Sequence, residues 1–204
     1  MSPVSDPPTA IDPERLEKLV GLFHLKWTVP LLASLEANPV HGRVAVLALR
    51  LDVGRSTIHR TLRVLVDQGL VAPNPGYGHP LRPEYVLAPL GAELAPWCAR
   101  FELALARRPA VVALAHQKWS MPLLVLVASG HRRFAELEAA LGEVSPRALT
   151  QALRGLTAAG LLERSVTVES PVRVAYRVTR SGRGLAQVVA GFFEGSEGRG
   201  SLER

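Results

Sequence analysis

An internal repeat limits the folds that this chain of 204 residues can adopt. His24-Leu-Lys-Trp-Thr-Val-Pro-Leu-Leu32 and His116-Gln-Lys-Trp-Ser-Met-Pro-Leu-Leu124 share six of nine residues at a spacing of 92. Farther along, identities follow at a spacing of 91, between Leu62 and Leu153, Leu65 and Leu156, Gly69 and Gly160, Tyr85 and Tyr176, and Gly91 and Gly182. Because nearly the same spacing holds along so much of the chain, each half carries one copy of the same structural unit.

The second copy has the pattern of a winged helix-turn-helix. Ser145 followed by Pro146 is a strong helix start, because the serine side chain can cap the helix and proline suits its first turn. Apolar residues then recur at helical spacing, at Leu149, Leu153 and Leu156. The predicted elements are helices at 119–129 and 134–141, a third helix from Pro146 that ends near Gly160, and a two-stranded hairpin of 161–168 and 173–178.

The first copy gives the same order with weaker signals. We predict helices at 44–51 and 55–68, with Gly54 at the capping position. Residues 73–80, Pro-Asn-Pro-Gly-Tyr-Gly-His-Pro, are rich in proline and glycine, so we expect an ordered but irregular wing before a strand at 84–87. The predicted fold class is mostly α with small β wings (α+β), built from tandem winged helix-turn-helix domains.

Segments outside the repeats complete the predicted domain organisation. Apolar side chains recur at spacings of three or four between the copies, at Leu94, Trp97, Phe101 and Leu105. This connector is therefore predicted to be a helix with one buried face, which Pro109 should kink or break. The predicted segments are a disordered leader at 1–10, a first winged-helix domain at 11–90, a helical connector at 91–115, a second winged-helix domain with a C-terminal helix at 116–194, and a disordered tail at 195–204.

Composition excludes several classes of protein. The chain has 24 Lys and Arg against 18 Asp and Glu, and this net charge of +6 permits nucleic acid as a partner. No apolar run approaches the about 20 residues of a membrane span, and the N-terminus lacks a secretory signal, so we expect a cytoplasmic protein without membrane contact. The single cysteine, Cys98, excludes an internal disulfide, and we expect a buried structural thiol.

Polar side chains occupy the face of each third helix that lies opposite its apolar stripe. These side chains are Arg147, Thr150, Gln151 and Arg154 in the second copy and Ser56, His59, Arg60 and Arg63 in the first. Such side chains contact base edges and phosphates in a DNA major groove. A solvated helix face is the alternative, but the pattern occurs twice at the third helix, which favours DNA recognition. Because the two faces differ, the predicted DNA site is an imperfect palindrome.

Three further arginines, Arg82, Arg164 and Arg173, lie in the predicted wings. Arginines there can contact the DNA backbone or the minor groove and position the protein without specifying bases. Strand charges that only keep the surface solvated are an equal alternative. Residues 109–204 carry a net charge of +4 against +2 for residues 1–108, so the second half is predicted to make the stronger DNA contact.

These residues resemble the HxlR-type transcriptional regulators, which are MarR-like winged-helix proteins of bacteria. The second copy carries the family pattern in Lys118-Trp119, Arg133-Phe-Ala-Glu-Leu137, Ser145-Pro-Arg-Ala-Leu-Thr150, Gly160-Leu161 and Val174-Ala-Tyr-Arg-Val-Thr-Arg-Ser-Gly182. The first copy keeps Lys26-Trp27 but has Val44-Ala-Val-Leu47 where the family has Arg-Phe-x-Glu-Leu. The resemblance implies binding of double-stranded DNA, which this family ordinarily performs as a homodimer of one-domain subunits. Two copies in one chain look like an intramolecular pseudo-dimer, with further homodimerisation left open.

Four aromatic residues raise the question of a small-molecule effector. They are Trp27, Trp97, Phe101 and Trp119. A cavity lined by them is one interpretation, because ligand sites often form at domain interfaces, and packing in the core is the other. His24 and His116 occupy equivalent places, but no cysteine or carboxylate stands at ligand spacing, so neither a metal site nor a cofactor is predicted.

The predicted function is a DNA-binding transcriptional regulator that represses by occupying a promoter and is released by a small ligand. No Gly-rich phosphate loop, nucleophile elbow or convincing pair of catalytic carboxylates is found, so no enzyme activity is predicted. The alternative is a winged-helix scaffold without DNA binding that binds, sequesters or transforms a small aromatic metabolite at the domain interface. The weakened first copy, with its Pro-rich wing, favours this alternative.

Overall fold

The protein folds into two compact units, each of which contains one copy of the repeat. The computed structural model describes residues 11–39, 42–74, 83–167 and 173–194. One unit is Leu25–Arg107, and the other is Met1–His24 with Arg108–Arg204. In chain order the elements are α1 (Pro13–Leu22), α2 (Thr28–Ala37), α3 (Val44–Arg50), α4 (Arg55–Asp67), β1 (Val71–Pro73), β2 (Tyr85–Leu87), α5 (Pro89–Ala106), α6 (Val112–Ala115), α7 (Ser120–Ala128), α8 (Phe134–Leu141), α9 (Pro146–Ala158), β3 (Leu162–Thr167), β4 (Arg173–Val178) and α10 (Arg180–Glu194).

The unit of residues 25–107 is a winged helix made of α2 to α5 with β1 and β2. Helix α4 buries Ile58, Leu62 and Leu65 and contacts α3 and β1. The two short strands pair antiparallel, with Val71 opposite Leu87, and α2 packs along α5. Because α4 buries one face, its opposite face is turned to solvent.

The unit of the second repeat has the same order of elements. Helix α9 buries Leu149, Leu153 and Leu156 and contacts α7 and β3. Strands β3 and β4 pair antiparallel over six residues each, and α10 packs against α7. Both α4 and α9 have 13 residues, as expected of two copies of one unit. The predicted fold class, mostly α with small β wings in a winged helix-turn-helix arrangement, is confirmed.

Helix α1 packs in the unit of the second repeat, although the first repeat follows it in the chain. Its amphipathic sequence buries Leu16, Leu19 and Leu22, and it contacts α7 and α8. The Arg15 guanidinium also donates a hydrogen bond to the Phe193 carbonyl in α10. The predicted first winged-helix domain, 11–90, included this segment. Leucines at helical spacing predict a buried face, but they do not specify the surface that covers it.

Two glycines that are equivalent in the repeat have the same structural role. A Cβ atom built on Gly91 would stand 1.8 Å from the Leu70 carbonyl oxygen. A Cβ atom built on Gly182 would stand 2.3 Å from the Leu161 carbonyl oxygen. The first turn of α5 and the first turn of α10 therefore each lie directly on the backbone that leads into the wing, where there is room only for glycine.

The structure gives the observed boundaries of several predicted segments. Helix α5 ends at Ala106, and Pro109 begins a separate 3-10 turn, so the predicted break at this proline is confirmed. The units divide between Arg107 and Arg108, inside the predicted connector. The strand predicted at 84–87 is found as β2, and it pairs with β1, which ends at Pro73 where the irregular loop was predicted to begin. The predicted leader at 1–10, the predicted tail at 195–204 and most of the loop at 73–80 lie outside the described residues.

In the described ranges, no single helix has the length and apolar composition to cross a membrane. Residues 109–115 and α7 have that length and composition only when taken together, and a bend of 100° separates them. In the same ranges, no group of three or more His, Cys, Asp and Glu side chains is placed to hold a metal ion.

Candidate nucleic-acid interface

Helix α9 presents its predicted recognition face to solvent. The helix begins at Ser145, whose side-chain oxygen accepts a hydrogen bond from the Ala148 N–H at 3.3 Å. Its leucine stripe is buried in the core of the unit, so helical periodicity turns the opposite face outward. On that face Arg147, Gln151 and Arg154 are exposed, and Thr150 is half-buried. The predicted side chains of the second copy thus share one accessible surface.

A groove of about 570 Å³ lies between α9 and the hairpin, and we call it the wing groove. Its lining residues are Thr150, Leu153, Arg154, Thr157, Ala158, Arg164 and Tyr176. Arg154 from the helix and Arg164 from β3 are both exposed, and none of these described lining residues is acidic. Arg164 lies opposite Tyr176 across the hairpin. The structure therefore places a predicted wing residue beside two predicted helix residues, in a groove whose charged side chains are both positive.

Arg173, the second wing arginine that the structure describes, does not line this groove. Arg173 begins β4, is exposed, and lies opposite Thr167 at the end of the hairpin nearer its turn. Arg82 lies outside the described residues. Only Arg164 among the three predicted wing residues is therefore placed beside α9 by the part of the chain that the structure describes.

Helix α4 presents the corresponding polar face in the first copy. Its four predicted residues, Ser56, His59, Arg60 and Arg63, are all exposed. The helix begins at Gly54, which provides no side-chain cap. At a spacing of 91, only the pair Arg63 and Arg154 has the same residue in both copies. The two faces therefore have the same orientation within their units but offer different hydrogen-bonding groups.

A buried carboxylate at the base of the first wing is a feature that the sequence pattern does not reveal. Glu84 is only 8% exposed, and it accepts a hydrogen bond from the Asn74 side chain at 3.0 Å. The Asn74 backbone N–H also donates to the Glu84 carbonyl at 2.8 Å. Arg43, at the start of α3, lies 3.8 Å from the other carboxylate oxygen. These contacts join the two ends of the wing to the helix-turn-helix.

The start of α8 carries two further arginines on a well-fixed backbone. The Glu136 carboxylate accepts hydrogen bonds from the backbone N–H groups of Arg132 at 2.8 Å and Arg133 at 3.0 Å. Slight burial raises the pKa of this carboxyl, but the two N–H groups and the Arg133 charge outweigh burial, so its pKa lies below the usual value. Glu136 is therefore ionised at neutral pH and holds the turn in place.

The four aromatic residues have different surroundings. Trp97 and Phe101 stack in α5 with ring centroids 5.4 Å apart, and they are 4% and 0% exposed. Trp27, in the same unit, is half-buried, as is Trp119 in the other unit. The ammonium group of the preceding lysine lies 4.9 Å from the Trp27 ring centroid and 4.5 Å from that of Trp119. These contacts favour packing for Trp97 and Phe101, and a ligand role for the set stays a prediction.

Cys98 is fully buried in α5, as predicted. Burial, and to a smaller extent the charge of Glu102, raises the pKa of its thiol well above the usual range. Because the thiolate is the reactive form, we expect iodoacetamide to leave Cys98 unmodified in the folded protein at slightly alkaline pH and to modify it fully in urea. Mass spectrometry measures both reactions. Equal rates for folded and unfolded protein would contradict a buried structural thiol.

Comparison with known families agrees with this geometry. Residues 114–197 match the HxlR-like helix-turn-helix family, and residues 28–75 match the IclR helix-turn-helix domain. The first range contains α8 and α9, and the second contains α3 and α4. Each copy of the repeat is thus matched by a helix-turn-helix family, but the first copy is matched by a different one from the second.

Several relatives of this chain are HTH-type transcriptional regulators. The HTH-type transcriptional regulator YvaP of Bacillus subtilis is 35% identical over 45% of this chain and 79% of its own length. YybR of the same organism is 34% identical over 42% and 70%, and a regulator of Methanothermobacter thermautotrophicus is 32% identical over 41% and 64%. A solved structure of a Pseudomonas aeruginosa protein described as a transcription factor, PA1374, is 28% identical over 50% of this chain and 64% of its own, with a TM-score of 0.34. The chain therefore belongs to the HTH-type transcriptional regulators, carries an HxlR-like helix-turn-helix in residues 114–197, and is a DNA-binding transcriptional regulator.

Proposed function

We propose that this regulator reads its DNA site mainly through α9 and the wing groove of the second unit. The observation that carries the proposal is that Arg154 and Arg164 border one groove beside the exposed side chains of Arg147 and Gln151. A helix of this kind fits the major groove, where arginine reads guanine and glutamine reads adenine. Arg164 on the wing would contact the phosphate backbone and fix the register of α9.

We further propose that α4 reads the other half of the same site, so that one chain acts as a pseudo-dimer. Arg60 and Arg63 supply two cations on the exposed face of α4. Ser56 and His59 stand where α9 has Arg147 and Thr150. Because hydrogen-bonding groups at equivalent positions differ, the two half-sites would differ in sequence.

Repression by promoter occupancy, with release by a small effector, is the regulatory mode that we propose. A helix-turn-helix regulator bound in the major groove of a promoter excludes other proteins from the same DNA. The protein would act in the cytoplasm, where the chromosome of a bacterium lies, and it would act by binding and not by catalysis.

Selection of duplexes from a random library, followed by a salt titration, tests this function. The selected site is expected to contain two unequal half-sites, and its affinity is expected to fall steeply with salt. If α9, α4 and the wings neutralise about six phosphates, a plot of log K against log salt concentration has a slope of about −5. Fluorescence anisotropy with a labelled duplex measures the slope. Identical half-sites would contradict the role of α4, and failure to bind at low salt would contradict the whole proposal.

A further inference from the structure

A second groove of about 340 Å³ lies elsewhere in the unit of the second repeat, between α7, β4 and α10. Its lining residues are Val127, Ala128, Arg132, Arg177, Val178, Arg183, Ala186 and Gln187, and we call it the arginine groove. None of these residues belongs to α9 or β3. The arginine groove is therefore lined by different residues from the wing groove and is not part of the predicted recognition surface.

Three guanidinium groups border the arginine groove, and each comes from a different part of the fold. Arg132 precedes α8, Arg177 lies in β4, and Arg183 lies in α10. Arg177 and Arg183 are exposed, and no acidic side chain is among the described lining residues. The residue opposite Arg177 across the hairpin is Glu163, which does not line the groove. The charged side chains that line the arginine groove are therefore all positive, while the carboxylates of Glu136 and Glu163 lie near Arg132 and Arg177 but outside the lining.

The remaining lining residues are mostly small and apolar. Val127 and Ala186 are buried, and Val178 is half-buried. Gln187 adds one neutral hydrogen-bonding group. A concave apolar surface with a few convergent polar groups is typical of small-molecule sites, whose volumes begin at about 300 Å³. A DNA phosphate needs the cations but gains nothing from the apolar floor.

We propose that the arginine groove binds a small organic anion, namely a carboxylate with a compact apolar body, and that this ligand is the effector. The carboxylate would lie between the arginines, because a guanidinium group binds a carboxylate with two parallel hydrogen bonds. The apolar body would cover the valine and alanine side chains. Charge complementarity and the size of the groove together select this class over neutral molecules and over bare inorganic anions.

The arginine groove is connected to the DNA contacts of the wing through strand β4. Arg177 is next to Tyr176 in β4, and Tyr176 lines the wing groove. The Tyr176 N–H donates a hydrogen bond to the Arg132 carbonyl at 2.9 Å, so the strand is joined to the turn that carries Arg132. A ligand held by Arg132 and Arg177 would contact residues on both sides of this hydrogen bond. It would thereby act on the position of the wing. This regulatory step rests on the proposed DNA contacts, whereas ligand binding itself does not.

Binding is tested with phenylacetate and the full-length protein in the absence of DNA. Two-dimensional ¹H–¹⁵N NMR is expected to show saturable shifts for residues of the groove with phenylacetate, and no shifts there with the neutral phenylacetamide. Arg177→Ala and Arg183→Ala are each expected to weaken binding about tenfold, since a charge-assisted hydrogen bond is lost. Ala128→Glu, an exposed change at the rim, is expected to weaken it through charge repulsion. Arg180→Ala, on the same helix but outside the groove, is the matched control and should bind as the wild type does.

Other outcomes would overturn the proposal. Equal binding of phenylacetamide, or unchanged affinity in the Arg177 and Arg183 variants, would show that the cations do not hold the ligand. Binding of inorganic phosphate as tight as that of phenylacetate would show that the apolar floor is irrelevant. If phenylacetate binds but leaves the affinity for the selected duplex unchanged, the effector role is wrong. If the protein binds no DNA at all, the proposed function fails, while the NMR result still decides the ligand site.

Discussion

Replacing Arg147 and Arg154 together with alanine is expected to weaken binding to the selected duplex by about 30-fold or more, since each bidentate base contact contributes about 1–3 kcal/mol. Both side chains are exposed on α9, so the free energy of unfolding should change by no more than about 0.5 kcal/mol. The preference among selected sequences should also relax at the bases read by these arginines. Fluorescence anisotropy measures the affinity, and urea denaturation measures the stability.

Two further variants test whether the loss of affinity is specific to the arginines of α9. Arg60→Ala with Arg63→Ala, on α4, is expected to cause a smaller loss, because the second half of the chain carries the larger positive charge. Arg100→Ala removes an exposed arginine from α5, which is neither of the two recognition helices, and should leave affinity unchanged. Wild-type affinity in the α9 double variant would show that these two arginines of α9 do not recognise the DNA. An equally large loss of affinity in Arg100→Ala would show that the loss in the α9 variant comes from the lower net charge and not from base contacts.

Gly182→Ala is expected to lower the free energy of unfolding by about 3 kcal/mol, which is the upper part of the usual range for overpacking. The added Cβ would stand 2.3 Å from the Leu161 carbonyl oxygen and 2.9 Å from a Val178 methyl group. That carbonyl accepts a hydrogen bond from the Thr179 N–H at 3.0 Å, so it cannot move away without straining the junction between wing and helix. Urea denaturation followed by circular dichroism measures the change.

Gly191→Ala is the control in the same helix. A Cβ at Gly191 meets no atom within 4 Å, and alanine is the better helix former by about 1 kcal/mol, so this change should slightly stabilise the protein. Equal stability of the two variants would mean that α10 can move away from the wing at little cost. A destabilised Gly182 variant beside a stable Gly191 variant would establish the close approach as a requirement of the fold.

The elements of both units follow from local signals that the repeat makes visible. Ser145 and Pro146 determine where α9 begins, and leucines at helical spacing determine which face is buried. The exposed positions of the recognition faces follow by elimination, because a helix has only one side left once its apolar stripe is known. Sequence therefore sufficed for the fold class and for the side chains that α4 and α9 present.

Features that depend on packing between distant segments could not be predicted. Arg132 is far in the sequence from Arg177 and Arg183, and the three arginines border one groove only because the hairpin and α10 pack against α7. The burial of Glu84 depends on Asn74 and Arg43, which lie on other elements. Helix α1 carried a clear apolar face, but nothing in its own sequence specified that α7 and α8 would cover it.

The packing of α1 also sets an order of events during synthesis. This helix leaves the ribosome well before α7 and α8, and at about 5–20 residues per second the delay is roughly 5 to 20 seconds. Throughout that time Leu16, Leu19 and Leu22 have no native surface to cover them. A chain that stops after the first repeat therefore exposes an unburied apolar helix to chaperones and proteases.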